Sequence, residues 1–326
     1  DLVRSRGLGD VYKRQLPLRW HRDVHRSGRP SGCFVFRRGK NLGLRSVLCA
    51  GLDALTLDFA RTGGAPSRFG EHRSTQGARR LSSSFLETNA MTFGGLTLLL
   101  PDKGDIERDA IAATWEQRGG TVIRLDRFWE PPALDPSHCR VYGNDSFCLV
   151  LEQKLGLELL SPPDDLVLTV PPRWTGRALA KSRLADASTL AYPIFVKPMV
   201  PKLFRARVYR SSTELVGECS GLPPDTEILT SSVVDFVAEA RCFVLDGQVL
   251  DCAIYEGAGE PTAATACAIQ VIDAIRCPRT FVIDLGLLRD GSWAVVEFNA
   301  AWGAGLNGCS ADLVVPAIEA ASAPRG

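Results

Sequence analysis

Three oxygen-bearing side chains, Asp284, Glu297 and Asn299, fall within the stretch FVIDLGLLRDGSWAVVEFN (281–299). Asp290-Gly291 lies between two alternating apolar runs, a strong short-range signal for a two-residue hairpin loop. With those residues in the loop, Arg289 pairs with Ser292, Leu288 with Trp293, and Asp284 falls opposite Glu297. Alternation along a strand puts Phe281, Ile283, Leu285 and Leu287 on one face with Ala294, Val296 and Phe298, the expected core face. The other face carries Asp284, Gly286, Glu297 and Asn299. Carboxylates directly opposite each other destabilise a sheet, so this face calls for compensation. Two carboxylates and an amide oxygen are hard donors that suit Mg²⁺ or Mn²⁺ and not zinc. A shared proton or a neighbouring arginine would also satisfy the pair.

The elements that hold this face follow from periodicity and punctuation. From Met91 the pattern predicts a strand (95–100), a helix (105–118), a strand (121–125), a strand near 140–142 and a helix (146–155) capped by Asn144, Asp145 or Ser146. That alternation is a small α/β layer. After Pro162-Pro163 and Pro171-Pro172, residues 176–187 read as a helix. Strands follow at 192–198 and 204–210, a helix from Ser212 to Glu218, and a strand at 227–234. A hairpin turning at Asp246-Gly247 sets Leu245 against Gln248 and Arg241 against Cys252. Pro261-Thr262 opens a helix over 261–275.

The 326 residues are 45% hydrophobic and 23% charged, the composition of an ordinary globular protein. No apolar run reaches the length of a membrane span. The net charge of +1 conceals a division: residues 1–90 carry 15 Arg and 2 Lys against 7 acids, and 91–326 carry 21 basic against 30 acidic residues. An acidic main body is a poor nucleic-acid partner. The opening DLVRSRGLGDVYKRQ (1–15) resembles translated sequencing-adapter read-through, and 1–90 reads as a non-native or disordered basic extension; a nucleic-acid-binding arm or a transit peptide is the functional alternative. Ten cysteines without CxxC spacing are expected as free thiols in a reducing cytoplasm. His138 is the one histidine beyond residue 90, which argues against triads built on histidine.

Taken in order, VYGNDSF (141–147), LLSPPDD (159–165), FVKP (195–198), the run from Ser232 to Arg241, and WAVVEFNAAWGAG (293–305) resemble the ATP-grasp family, in its bacterial and phage branch. The resemblance covers roughly 95–320. It implies an α+β architecture in which two subdomains clasp ATP, preceded by a small α/β domain, with divisions at 1–90, 91–188 and 189–326. It implies that Lys197 contacts the nucleotide phosphates, that Lys202 lies in a mobile loop over them, and that Ser232, Val233 and Val234 present backbone to adenine. Glu239 would hold the ribose, Arg241 would reach the transferring phosphate, and Asp284, Glu297 and Asn299 would ligate Mg²⁺ or Mn²⁺. Lys197 and Arg241 would thus be the catalytic side chains. The implied reaction activates a carboxylate by phosphoryl transfer from ATP, for attack by an amine or similar nucleophile. Small-molecule or peptide carboxylates and amines would be the substrates, in the cytoplasm. A phosphotransferase and a non-catalytic nucleotide-binding module are the other classes considered.

Two motifs are decoys. Gly303, Gly305 and Gly308 spell GxGxxG, but only 18 residues follow Gly308, too few for the βαβ unit and distant acid of a dinucleotide fold. The run is expected instead as a flexible loop beside the metal. GRALAKS (176–182) lacks the glycine before Lys181 that a phosphate-binding loop needs.

Overall fold

In the computed structural model, residues 91–325 are described; the reading of 1–90 as an extension lies outside them. The first layer is a parallel sheet of β1 (Thr97–Pro101), β2 (Thr121–Leu125) and β3 (Cys139–Val141), ordered β2-β1-β3. Helix α1 (Ile106–Gln117) crosses from β1 to β2 and starts at Asp105, whose carboxylate accepts from the Glu107 and Arg108 amides, each at 3.1 Å. Its inner face buries Ile111, Ala112 and Trp115, with Trp115 stacked on Phe93 at 4.1 Å. Gly120 must be small, because a Cβ there would collide with the Trp115 ring. Helix α2 (Asp145–Leu155) follows β3, capped by Asn144 Oδ1 on the Phe147 amide and ended by left-handed Gly156. The expected α/β alternation is therefore present, with boundaries shifted by two residues or fewer.

The second sheet, ordered β5-β8-β6-β7, is antiparallel: β5 (Leu179–Arg183), β6 (Ile194–Pro198), β7 (Arg207–Tyr209) and β8 (Glu227–Ser231). The predicted helix at 176–187 is corrected here. Residues 179–183 form β5, and a 3₁₀ segment covers Leu184–Thr189. Leucine and alanine favour a helix, yet β8 presents a row of backbone groups that β5 satisfies from Leu179↔Ser231 to Arg183↔Glu227. Lys181 Nζ adds an ion pair to Glu227 at 2.8 Å. This sheet therefore begins at Leu179, upstream of the division expected at 189. Helix α4 (Ser212–Glu218) follows β7 as expected; a single turn, α3 (Pro172–Thr175), precedes β5.

The third sheet, ordered β10-β9-β11-β12, holds the longest strands: β9 (Phe236–Leu245), β10 (Gln248–Gly257), β11 (Thr280–Leu288) and β12 (Trp293–Asn299). Helix α5 (Pro261–Ala274) buries Ala264, Cys267, Ala268, Val271 and Ile272 against it. Helix α6 (Ala311–Glu319) packs beside α1, and β13 (Ser322–Pro324) pairs with β4 (Leu157–Leu159). One hydrophobic core thus joins Phe93, Leu99 and Trp115 of the first layer to Val282, Val314 and Ile318.

Both hairpins of this sheet contain bulges that local pattern does not predict. In β9–β10 the register slips between Val249 and Asp251, so Arg241 faces Ala253 and Cys252 faces Cys242. That slip brings the two thiols together as a cross-strand disulfide, which corrects the expectation of free cysteines; the other six described are free. In β11–β12 the loop is longer than two residues. Leu288 N donates to Ser292 O, leaving Arg289, Asp290 and left-handed Gly291 in the turn. Leu287 rather than Leu288 then faces Trp293, and a second slip between Asp284 and Leu285 restores Asp284↔Glu297. The bulge also corrects the core face. Val295 joins Phe281, Ile283 and Leu285, whereas Ala294 and Val296 pack with Phe195 and Phe236.

Candidate functional site

Asp284 and Arg241 sit opposite each other on β11 and β9. Both are buried, and their contact is bidentate: Nε to Oδ1 at 2.8 Å and Nη2 to Oδ2 at 2.7 Å. Arg241 Nη1 continues to the Gly305 carbonyl at 2.9 Å. The neighbouring arginine, one of the ways open to balance the facing acids, is therefore present at Asp284. Glu297 and Asn299 stand on β12 beside it. Asn299 Nδ2 donates to Asp284 Oδ2 at 3.0 Å and to Glu297 Oε1 at 3.3 Å, so one amide bridges both carboxylates. Burial raises the Glu297 pKa, Lys197 opposes that rise, and the charge of Asp284 adds to it. Lys197, half-buried at the end of β6 in the other antiparallel sheet, thus lies within electrostatic reach of Glu297 on β12. Its charge also opposes the rise that partial burial gives the Asp164 pKa.

The remaining expected residues are less alike. Glu239 is fully buried on β9, opposite Gly286, and accepts from Tyr255 Oη at 2.5 Å. Ser232 follows β8, where its amide donates to Ala178 O at 3.0 Å and its hydroxyl accepts from Ala178 N at 3.1 Å. These bonds tie that end of the linker to the segment before β5, so its amide is not directed at a ligand. Val233 is exposed and Val234 half-buried, both before β9. Lys202 lies in the 199–204 connection with a left-handed backbone (φ 69°), and its ammonium pairs with Asp145 Oδ2 at 2.6 Å.

Residues 174–317 match the model of an ATP-grasp domain family, the second family of its clade. The chain carries an ATP-grasp domain. Its architecture is α+β. Solved structures similar to this chain include a RimK domain protein ATP-grasp from Sphaerobacter thermophilus (14% identity, 68% of this chain and 98% of that chain covered, TM-score 0.48). The N5-carboxyaminoimidazole synthetase of Staphylococcus aureus matches at 14% identity over 73% and 80% of the two chains, with TM-score 0.47. A D-alanine–D-alanine ligase from Bacillus anthracis matches at 13% over 63% and 86%, with TM-score 0.37. No curated protein matches.

Three positioning features of this ATP-grasp domain were invisible in the sequence. Arg177 is buried after α3 and donates to the carbonyls of Val295 (2.6 Å) and Val296 (2.9 Å). Those are the bulge carbonyls, so Arg177 holds the slip that returns Glu297 to Asp284. Its guanidinium lies 5.6 Å from the Phe236 ring centre. Glu107, in the first turn of α1, accepts from the Leu306 amide at 3.1 Å and the Asn307 amide at 3.0 Å. Tyr142 Oη donates to Ala304 O at 2.8 Å, and Gly143 N to Trp302 O at 3.0 Å. The 300–310 segment expected to be a flexible loop is therefore fastened along its length, and a Cβ on Gly305 would meet Glu107 Oε2 at 2.6 Å. A basic residue before a strand or an acid at a helix start carries no signal of such distant partners.

The donor set fits a hard divalent ion. Among the described residues no group of three or more His, Cys, Asp or Glu side chains is placed to hold a metal. Two carboxylates and an amide match what Mg²⁺ takes when substrate phosphates and water complete its shell. Each carboxylate oxygen has two lone pairs, so Asp284 can serve Arg241 and still accept.

Proposed function

We propose that this protein is an Mg²⁺-dependent, ATP-consuming ligase that activates a carboxylate as an acyl phosphate for attack by an amine. The observation carrying this reading is the cluster of Asp284, Glu297 and Asn299, joined by the Asn299 amide, with Lys197 of the other sheet within electrostatic reach of Glu297. Glu297, with Asn299 after rotation of its amide to turn Oδ1 inward, and Asp284 would hold the ion; amide orientation is set by its hydrogen-bond partners. When bound, the ion supplies neutralisation of charge on the phosphates. Lys197 provides a flexible point charge for the same phosphates. Arg241 orients Asp284 through its bidentate contact, and through Gly305 it holds the middle of the 300–310 segment. Its remaining N–H donors are available to the phosphoryl group in transfer. Phosphoryl transfer needs positioning and electrostatic stabilisation more than covalent participation by the protein, in keeping with a site built without histidine.

The Val233-Val234 backbone provides the adenine contact, giving ATP preference over GTP. Among the described residues no helix is long and apolar enough to cross a membrane, and a cytoplasmic setting suits ATP as substrate. Calorimetric titration of ATP and GTP, with and without Mg²⁺, tests nucleotide and metal together. ATP binding that requires Mg²⁺ is expected; no binding of either nucleotide would overturn the reading. ADP formation across pools of carboxylates and amines then tests ligation, which requires both substrates together.

A further inference from the structure

A recess opens beside Asn299, lined by Asp145, Asn299, Ala300, Trp302, Gly303 and Ala304. Asp145 is the ionisable side chain of that lining, and it begins α2 just past the C-terminal end of β3. The order β2-β1-β3 reverses direction between β1 and β3, and crevices at such reversals are where open α/β sheets bind ligands. Gly303 borders this corner: a Cβ there would make ordinary contact with Gly143 O at 3.6 Å and Asp145 Oδ1 at 3.8 Å. An ammonium group already sits on the Asp145 carboxylate, that of Lys202 at 2.6 Å.

We propose that Asp145 is the counter-ion for an ammonium-bearing acceptor substrate, and that Lys202 holds this position until nucleotide draws it away. The proposal rests on the ligase reading and specifies its acceptor. A carboxylate in the recess repels anionic acceptors and favours one that carries an ammonium group besides its attacking nucleophile, and the recess borders Asn299 and so adjoins the expected metal. Lys202 sits in the same 199–204 connection that begins just after Lys197. A polyphosphate bound between Lys197 and Glu297 offers Lys202 several negative charges, against the single exposed carboxylate of Asp145. Both lysine and aspartate are more than two-fifths exposed, so their pair is weak enough to exchange. Nucleotide binding then uncovers Asp145, and the amine binds second. Coupling of this kind is reciprocal, so amine and nucleotide strengthen each other.

The test uses the full chain, titrated with Mg²⁺ and the non-hydrolysable nucleotide AMPPNP, as wild type, Asp145→Asn, Lys202→Ala and the double variant. Asp145→Asn is expected to tighten nucleotide binding by about two- to fivefold, the size of an exposed ion pair, and to have no effect in the Lys202→Ala background. A second titration follows the Trp302 indole signal with n-butylammonium and with n-butanol. Butylammonium is expected to bind nucleotide-loaded wild type, to bind Lys202→Ala with or without nucleotide, and to lose binding in Asp145→Asn. Unchanged nucleotide affinity in Asp145→Asn, or equal binding of butanol, would overturn the proposal. If wild type binds no nucleotide, the ligase reading fails instead, and butylammonium binding to Lys202→Ala still decides the role of Asp145.

Discussion

The two antiparallel sheets carry opposite charges, with Lys197 of one within electrostatic reach of Glu297 of the other, and are built to different standards. The β10-β9-β11-β12 sheet has two ten-residue strands and buries Arg241, Asp284 and Glu239 among them. The β5-β8-β6-β7 sheet has strands of three to five residues and offers Lys197 half-buried and Lys202 exposed. Buried charges must be paired to be tolerated, so the acidic side is fixed by its own hydrogen bonds before any ligand arrives. Exposed lysines cost little to move. On the proposed reading, the acidic side would define where metal and phosphate sit, and the basic side would adjust to them.

The largest expected effect comes from breaking the fixed side at its buried pair. Asp284→Asn or Arg241→Met strands a charged partner in the core and should destabilise the protein by about 3–5 kcal/mol, measured as a shifted urea midpoint at unchanged slope. Glu297→Gln should separate function from folding: turnover of ATP falls by about a hundredfold or more, the scale of losing a preorganised electrostatic group, with the urea midpoint little changed. An Asp284→Asn protein as stable as wild type would remove the distinction between the two sheets.

Arg177 sharpens the comparison, because it reaches from the segment before β5 to the bulge of β12. Arg177→Ala leaves the Val295 and Val296 carbonyls without these donors. Each such buried group costs about 1–3 kcal/mol, so a loss of at least about 2 kcal/mol is expected, together with lost ATP turnover as Glu297 leaves its register. Arg177→Lys cannot reproduce the two-pronged contact. Full activity in that variant would show that the bulge holds itself.

The α/β layer, the strand ending in Lys197 and the facing of Asp284 with Glu297 were legible in the sequence, because each depends on local period and turn chemistry. Even so, the last was reached through two compensating slips: a turn one residue longer than expected and a bulge that returned the count. Where tertiary partners decide, local pattern failed. Residues 179–183 look helical and are a strand because β8 needs an edge partner. Spacing alone does not relate Cys242 to Cys252, because a one-residue slip moves the whole register. Arg177 and Glu107 act on partners far along the chain, and Asp145 on a loop from another sheet, so no spacing rule reaches their roles.

The smallest structural effect belongs to the adjustable side. Lys197→Ala removes a half-buried charge at a strand end, so the urea midpoint should stay within about 0.5 kcal/mol of wild type, as for surface substitutions. Its effect on nucleotide should be larger than its effect on folding. A charge-assisted contact is worth about 1.5–3 kcal/mol, which corresponds to roughly ten- to a hundredfold weaker binding of Mg²⁺·ATP. Lys197 also opposes the burial that raises the Glu297 pKa, so its loss removes that opposition and favours the protonated acid. Added Mg²⁺ competes with that proton, and the defect should therefore shrink as Mg²⁺ is raised. Calorimetry at two Mg²⁺ concentrations separates the two contributions. A defect independent of Mg²⁺ would assign Lys197 to the phosphates alone, and a large loss of stability would place it with the fixed side of the molecule instead.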